Sequence, residues 1–496
     1  MKPEKIPAFV TYEDFGAAGD GETDDLQAIH DAHVYANAHD LPVKTRWDAT
    51  YYIGGSALTV PVETDTDWGS SHFVIDDRHT ENNKASVFHV RSRLQPVSLP
   101  IASLERDQKT LPFHPETDLY ISVKNKNIKR FIRFGPNVNA GTDQSDVFIL
   151  RRDGTIDSPI DWDYDEITEI RALPIDEKPL ILRGGVFTTI ANQGPSVYDY
   201  YERNLLITRS NTTVIGTVHY VAGERSHGSP YNGFIHAVDC ADIRFEDLFS
   251  TGHKMYYTIG AAGVSVPMGS YDLRAGRICN FTMINCRTNN ILDRSRWGTI
   301  ATDFCKNICL SGCVLSRIDT HQGVSGVYEL KDCTFGHMGI KAIGRGKLNL
   351  DNVTSYGYEL LEFRPDYGSV WDGTVEIRNA RYIPACGEEA VPHIFHVQNA
   401  GIHNFGYPCR MPQKILIDGL EICDTNVPEG YEGPYLVSDP DAPSGFEKGP
   451  LPETRPYPYL PPEQVTLKNI HGASGRPLLL SENAAFCEAL QAAMKR

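Results

Sequence analysis

The chain has no run of 18 apolar residues, so the sequence offers no bilayer-spanning helix and no membrane partner is expected. Its first residues, MKPEKIPAFVTYEDFG, lack the apolar core of a secretory signal, and a cytoplasmic setting is the expectation. Positive charge is in deficit: 47 Lys and Arg stand against 64 Asp and Glu, a formal net charge of −17, which argues against nucleic acid as a partner. The 11 cysteines form no tight disulfide framework, consistent with a reducing compartment. Cys305, Cys309 and Cys313 are spaced like metal ligands, yet no second cluster follows them, and neither a metal nor a cofactor is expected. Amphipathic helices of 10 to 15 residues between strands are missing too, which excludes an alternating strand–helix fold.

The stretch FGAAGDGETDDLQAIHDA at 15–32 has the glycines of a nucleotide loop but neither a preceding strand nor the GxGxxG spacing. A calcium loop would need alternating oxygens ending in Glu, and here the chain turns helical after Asp24-Asp25. Gly16, Gly19 and Gly21 suit turns of positive φ, Thr23 or Asp24 can cap the helix, and Leu26, Ile29, Ala32 and Val34 give it an apolar side.

From residue 240 a short pattern returns: apolar, any, apolar, any, Asn/Asp/Gly, then Cys or another apolar residue. It reads IRFEDL at 243, FTMINC at 281, ICLSGC at 308, YELKDC at 328, LNLDNV at 348, VEIRNA at 375, ILIDGL at 415 and VTLKNI at 465. Copies lie 38, 27, 20, 20, 27, 40 and 50 residues apart. Each is a period-two strand ended at a bend, and the irregular spacing is loop insertion on a regular coil. The prediction is an all-β single domain over 1–496, a solenoid of parallel strands. Residues 24–38 form a helix capping its first coil, and 481–495 a C-terminal helix. Residues 62–120 read as an irregular insertion or early coils, and 429–463 as a Pro-rich loop. Cys286, Cys313 and Cys333 share one repeat position and are expected to stack, reduced, in the core.

The motif FGAAGDGETDDLQAI, followed by LPVKTRWDATYYIGG, resembles the N-terminal motif of the pectate-lyase superfamily of right-handed parallel β-helices. That superfamily includes polygalacturonase-like glycoside hydrolases, related lyases and phage tailspike depolymerases. The resemblance implies the fold, with the motif in a structural role. It does not extend to the polygalacturonase catalytic pattern, because the middle of the chain has no convincing Asp-Asp pair or Gly-His-Gly.

Candidate site residues come from aligning the coils on their bends. Four residues past the bend stand Asn290, Arg317 and His337; eight past it stand Arg294, His321 and Lys341, with Tyr256 one coil earlier. Asp319 lies between the columns, so Arg317, Asp319 and His321 are expected to point outward together. Arg296 and Asp303 come from the coil before, Arg345 follows Lys341, and Arg364 and Asp366 come from the coil after. A solvated face in so acidic a chain should be rich in acids, whereas this strip is cationic, which points to a binding groove. Glu224 and His227 lie in a second cluster, HYVAGERSHGSPYNGFIH, and Tyr198, Tyr200 and Tyr201 offer rings for sugar stacking.

The leading function is a glycoside hydrolase. Asp319 would be base or nucleophile, Asp303 or Asp366 its partner, and His321 a modulator. Arg294, Arg296, Arg317, His337, Lys341, Arg345, Arg364, Tyr256, Glu224 and His227 would bind the sugar. The alternative is a polysaccharide lyase, in which His321, Lys341 and Arg317 neutralise a uronate and abstract its proton. A non-catalytic glycan-binding solenoid is the third reading. The partner is an oligosaccharide or polysaccharide, acidic if the cations meet it, and the protein acts as a monomer or homo-oligomer. Because the opening glycines are assigned to turns, Gly21→Val is expected to lower the melting temperature. Kinetic constants of the folded fraction should stay at wild-type values; a normal melting temperature with lost activity would contradict a structural role.

Overall fold

In a computed structural model of the chain, residues 8–398, 403–442 and 459–496 are described. Among these, 27 strands pair in one continuous arrangement whose pairings are parallel, each strand bonding to the equivalent strand of the next turn of chain. This is the right-handed parallel β-helix, the hand that parallel crossovers adopt. The predicted fold class, an all-β solenoid, is observed.

Each coil has three sides. The repeat strands form the first: Ile243, Phe281, Ile308, Tyr328, Leu348, Val375, Ile415 and Val465 stand one above another by strand register, all buried. At the next corner sit Asp247, Asn285, Gly312, Asp332, Asn352, Asn379, Gly419 and Asn469, every one with φ between 51° and 86°. That left-handed turn explains the Asn/Asp/Gly position of the repeat, since these residues tolerate positive φ best. Asn285 Nδ2 donates to Asp247 (3.2 Å) and Asn352 Nδ2 to Asp332 (2.7 Å), tying neighbouring coils at the bend. The second side is short and begins with Leu248, Cys286, Cys313, Cys333 and Val353, all buried. The three thiols donate to backbone carbonyls, Cys286 to Ile284 O (3.5 Å), Cys313 to Ser311 O (3.5 Å) and Cys333 to Lys331 O (3.1 Å). The third side holds 271–276, 298–302, 318–319, 339–342 and 359–363, and its outward face is where the site lies.

The helix Leu26–His39 covers the first coil with Leu26, Ile29, Ala32, His33 and Ala36 buried. Its lead-in turn is fixed by Asp25, whose carboxylate accepts from the backbone N–H of Ala18 (2.6 Å) and Gly19 (3.1 Å), while Asp24, one of the two caps expected, accepts from Leu26 N (3.1 Å) at the first helical residue. Ala484–Met494 is helical, capped by Asn483, which accepts from Phe486 N. The span 62–120 divides. Val60–Val62, Thr66–Asp76 and Phe88–Val90 are coil strands, and residues 91–179 are inserted at the corner between the third and first sides. Part of the Pro-rich loop, 443–458, lies outside the described residues.

The insertion carries a three-stranded antiparallel sheet, Thr142–Leu150 against Leu119–Arg130 against Glu169–Pro174. One face buries its own core of Leu119, Ile121, Val123, Phe148 and Leu150; the other packs Tyr120, Val147 and Ile149 on Ala241 and Cys279 of the coils. Beneath it Lys306, fully buried, is ion-paired with fully buried Asp146 and lies 3.4 Å from Asp161. Ser325 Oγ donates to Asp161 (2.8 Å), and Arg345 donates to Ile160 O (3.1 Å) and pairs with Asp107 (2.8 Å). Lys306→Met would leave buried acids without their counter-charge and should destabilise the protein by about 3–5 kcal/mol. The double change Lys306→Met/Asp146→Leu should recover much of that in chemical denaturation; equal stability of wild type and single variant would refute the anchoring role.

Candidate active site

On the third side, outward residues fall into one column by register: His236 beside Arg274, Arg274 beside Ile300, Ile300 beside Asp319. It continues with Lys341 beside Glu362 and Glu362 beside His396. The strip is therefore a ladder of alternating sign rather than a stack of cations, and Lys341 is ion-paired with Glu362. The first part of the insertion after its long strand, 131–139, runs across this face. Ile132 N donates to Phe405 O (3.1 Å) and Phe134 N to Asp366 O (2.9 Å), so the face becomes the floor of a cleft of about 680 Å³.

Asp319 is not on the surface. Its carboxylate is fully buried, and Arg364 Nη1 donates to both oxygens (2.9 and 2.7 Å). Arg317, 1% exposed, is ion-paired with it, and His321 Nε2 lies 2.8 Å from Oδ2. The outward face expected for Arg317, Asp319 and His321 is thus corrected. The insertion and the turn after Phe363 cover it, and only His321 keeps a fifth of its side chain, 19%, accessible. Arg364 also grips Asp366 with Nε (2.9 Å) and Nη2 (2.6 Å), and Arg133 reaches Asp366 from the insertion at 2.8 Å. The guanidiniums of Arg133 and Arg364 both lie over the Tyr367 ring, at 5.4 and 5.5 Å, and Arg317 lies 4.6 Å over Trp297.

These neighbours set the charge states. Burial alone would raise Asp366, but Arg364 and Arg133 overcome it and hold the carboxyl well below the usual carboxylate range. Burial, then Arg364, Arg317 and Arg133, press His321 well below the ordinary imidazole value, so the ring is neutral at pH 7. Asp319 would oppose this, but its charge is already shared between two guanidiniums. Glu362 is lowered by Lys341 against the penalty of burial, whereas Glu359, close to it, is pushed up to about 7 by burial and by the Glu362 charge.

Of the residues expected at the site, the cleft brings together Asp303, Arg317, His321, Lys341, Arg364 and Asp366, with Asp319 directly beneath. Asp303, in a left-handed turn (φ 53°), lies 3.6 Å from both Arg274 and Arg277. The others are elsewhere. Arg294 pairs with Glu388 (2.6 Å) and lies over Tyr358. Arg296 donates to Gly252 O (2.7 Å) and pairs with Glu224 (3.3 Å), which also accepts from Lys254 N (2.6 Å). His337 Nε2 is 2.9 Å from Arg296 O, so these three brace loops. Arg345 belongs to the anchor of the insertion. Tyr256 is buried in the hairpin Tyr256–Ile259/Ser265–Met268, and His227 is exposed, 3.3 Å from Gly194 O. Eight-past-the-bend counting failed at Arg294 because the 289–297 loop leaves the coil before the third side begins.

Sequence reasoning missed Arg133, Arg274, Tyr271 and Glu362, which line the cleft. Arg133 had no repeat register to locate it. Glu362 was accessible in principle, since a strand pairing of Lys341 with Glu362 aligns opposite charges one coil apart.

No protein-family model matches the chain, and no curated protein does. Among solved structures it is similar to the Gp54 tailspike of Acinetobacter baumannii bacteriophage AP22 (8% identity, 96% of this chain and 78% of that one, TM-score 0.49). It is similar also to the surface protein and adhesin PfbA of Streptococcus pneumoniae (10%, 96% and 100%, TM-score 0.46). A third is an exopolygalacturonase from Thermotoga maritima (9%, 95% and 94%, TM-score 0.32). No residue, role or reaction carries over at such identities and TM-scores, and the fold rests on the strand pairing described above. The cytoplasmic setting expected from the N-terminus is corrected, because the similar structures include a phage tailspike and a bacterial surface adhesin.

The depressed Asp366 carboxyl yields a stability prediction. Its contribution is complete above about pH 4, the unfolded value, and is lost as pH falls toward the lower folded one. Asp366→Asn should therefore flatten the loss of stability on acidification below about pH 4. An acid limb unchanged in denaturation curves at stepped pH would contradict the pairing.

Proposed function

We propose that the cleft binds an acidic polysaccharide and cleaves it by β-elimination, with His321 as the base. The observation that carries this reading is an imidazole held 2.8 Å from a buried carboxylate inside a ring of guanidiniums. Asp319, at 2.8 Å, keeps the proton on Nε2 and leaves the Nδ1 lone pair as acceptor, a positioning role rather than direct contact with substrate. The carboxylate of a uronate would lie against Arg133, the most exposed guanidinium of the three, with the charges of Arg317 and Arg364 behind it. Withdrawing its negative charge lowers the cost of the carbanion formed when His321 takes the C5 proton. The electron pair then forms the C4–C5 double bond, the C4–oxygen bond breaks, and the departing oxygen takes a proton from solvent.

Hydrolysis, favoured by the sequence alone, fits less well. It needs one protonated carboxyl facing the bond. Among the described residues lining the cleft the acids are Asp303, Glu362 and Asp366, and each is paired with a cation. Glu359, the carboxyl raised to about 7, is not among the lining residues.

The test is incubation with polygalacturonate, alginate and hyaluronate, reading ultraviolet absorbance of the new double bond beside reducing ends. One polymer should give both signals. His321→Ala should then lower kcat at least about a hundredfold, and Asp319→Asn should lower kcat with little change in KM. Because the neutral ring is the active form and its pKa is depressed, the acid limb of kcat/KM should lie below about pH 6.5. Reducing ends without absorbance would overturn the lyase reading in favour of hydrolysis.

A further inference from the structure

One end of the cleft is closed by three segments that are distant in sequence. The 131–139 segment of the insertion meets the hairpin Tyr256–Ile259/Ser265–Met268, with Ala262 N donating to Pro136 O (2.9 Å). The contact is tight, since a Cβ on Gly260 would come within 2.7 Å of both Pro136 O and Asn137 Oδ1. Tyr198 ties both to the coil: its Oη accepts from Asn137 Nδ2 (3.1 Å) and donates to Pro267 O (3.4 Å). Behind it Tyr198, Tyr200 and Tyr271 form a stack, with centroids 6.2 and 5.9 Å apart and the Tyr200 and Tyr271 rings 3° from parallel. Tyr271 belongs to the first of the coils that floor the cleft, so this plug stands at the N-terminal end of the floor.

We infer that the cleft is blind at the Tyr198–Tyr200–Tyr271 end and that the protein therefore acts on chain termini, releasing short products. The inference rests on the lyase reading of the same cleft but concerns only how a chain is threaded. From the coil of Tyr271 to that of Asp319 is two coil steps, through Ile300, or about 10 Å along the axis. That leaves room for one or two sugar units between the plug and His321. The rings of the plug suit the apolar faces of a terminal sugar, while Arg274 beside them suits its charge. A polymer cannot pass through the plug without breaking the hairpin contact.

The test uses the polymer that the wild type shortens among polygalacturonate, alginate and hyaluronate, with product length read by size chromatography and solution viscosity followed in parallel. The expected result is release of the shortest products from the first time points, with viscosity falling slowly. Deleting 261–264, the hairpin tip, should shift early products toward long internal fragments and steepen the viscosity fall. Long fragments from the wild type at the outset would overturn the inference whatever bond chemistry is found. Short products lacking ultraviolet absorbance would support the blind end while counting against the lyase reading alone. Should the deletion fail to fold, Asn137→Ala removes the Tyr198 bridge and should give the same shift to a smaller degree; an unchanged product profile in a folded variant would count against the plug.

Discussion

The buried charge of Lys306 is the constraint on which the site depends. A parallel β-helix presents a nearly flat third side, and such a surface holds a sugar chain only weakly. Here an inserted sheet is pinned beside it by an ammonium that can stay charged in the interior only while Asp146 and Asp161 accompany it. That requirement fixes the insertion in one place, because any slippage would strand three charges. Arg345, on the neighbouring coils, repeats the device with Asp107 and Asp161. What the clamp delivers is the 131–139 segment, and with it Arg133 against Asp366.

Once the wall is in place, the electrostatics of the cleft follow from burial. Asp319 and Asp366 are shared acceptors for Arg133, Arg317 and Arg364, which hold each other close despite like charge. A basic histidine in such company loses its proton, and the same guanidiniums that neutralise it are poised to receive an anionic substrate. One set of contacts thus stabilises the cluster, sets the state of the base and selects the charge of the ligand. The Lys341–Glu362 pair continues the alternation one step along, so the floor carries both signs while the wall is cationic.

How much of this was legible in the sequence differs by level. The coil was, because one left-handed corner recurs and only Asn, Asp and Gly occupy it cheaply; Asp247, Asn285 and Gly312 betray it without any structure. The coming together of Arg317, His321 and Arg364 was foreseen from register, yet their burial was not. Period-two logic assigns Asp319 to an outward face, and it cannot know that residues 131–139 of the insertion cross that face. Arg294 and Arg296 were misplaced for a different reason: once a loop leaves the coil, counting from the bend loses meaning. Arg133 and Tyr271 stayed hidden because their roles depend on contacts far away in sequence, Asp366 for the one and Tyr200 for the other.

The central claim is that a neutral His321 removes a carbon-bound proton. Its most direct measurement is the kinetic isotope effect with the susceptible uronate polymer deuterated at C5, compared with the protiated polymer under single-turnover conditions. The account predicts a clear primary effect, with the deuterated chain cleaved several-fold more slowly. Equal rates for the two polymers, together with loss of activity in Asp366→Asn rather than His321→Ala, would contradict it.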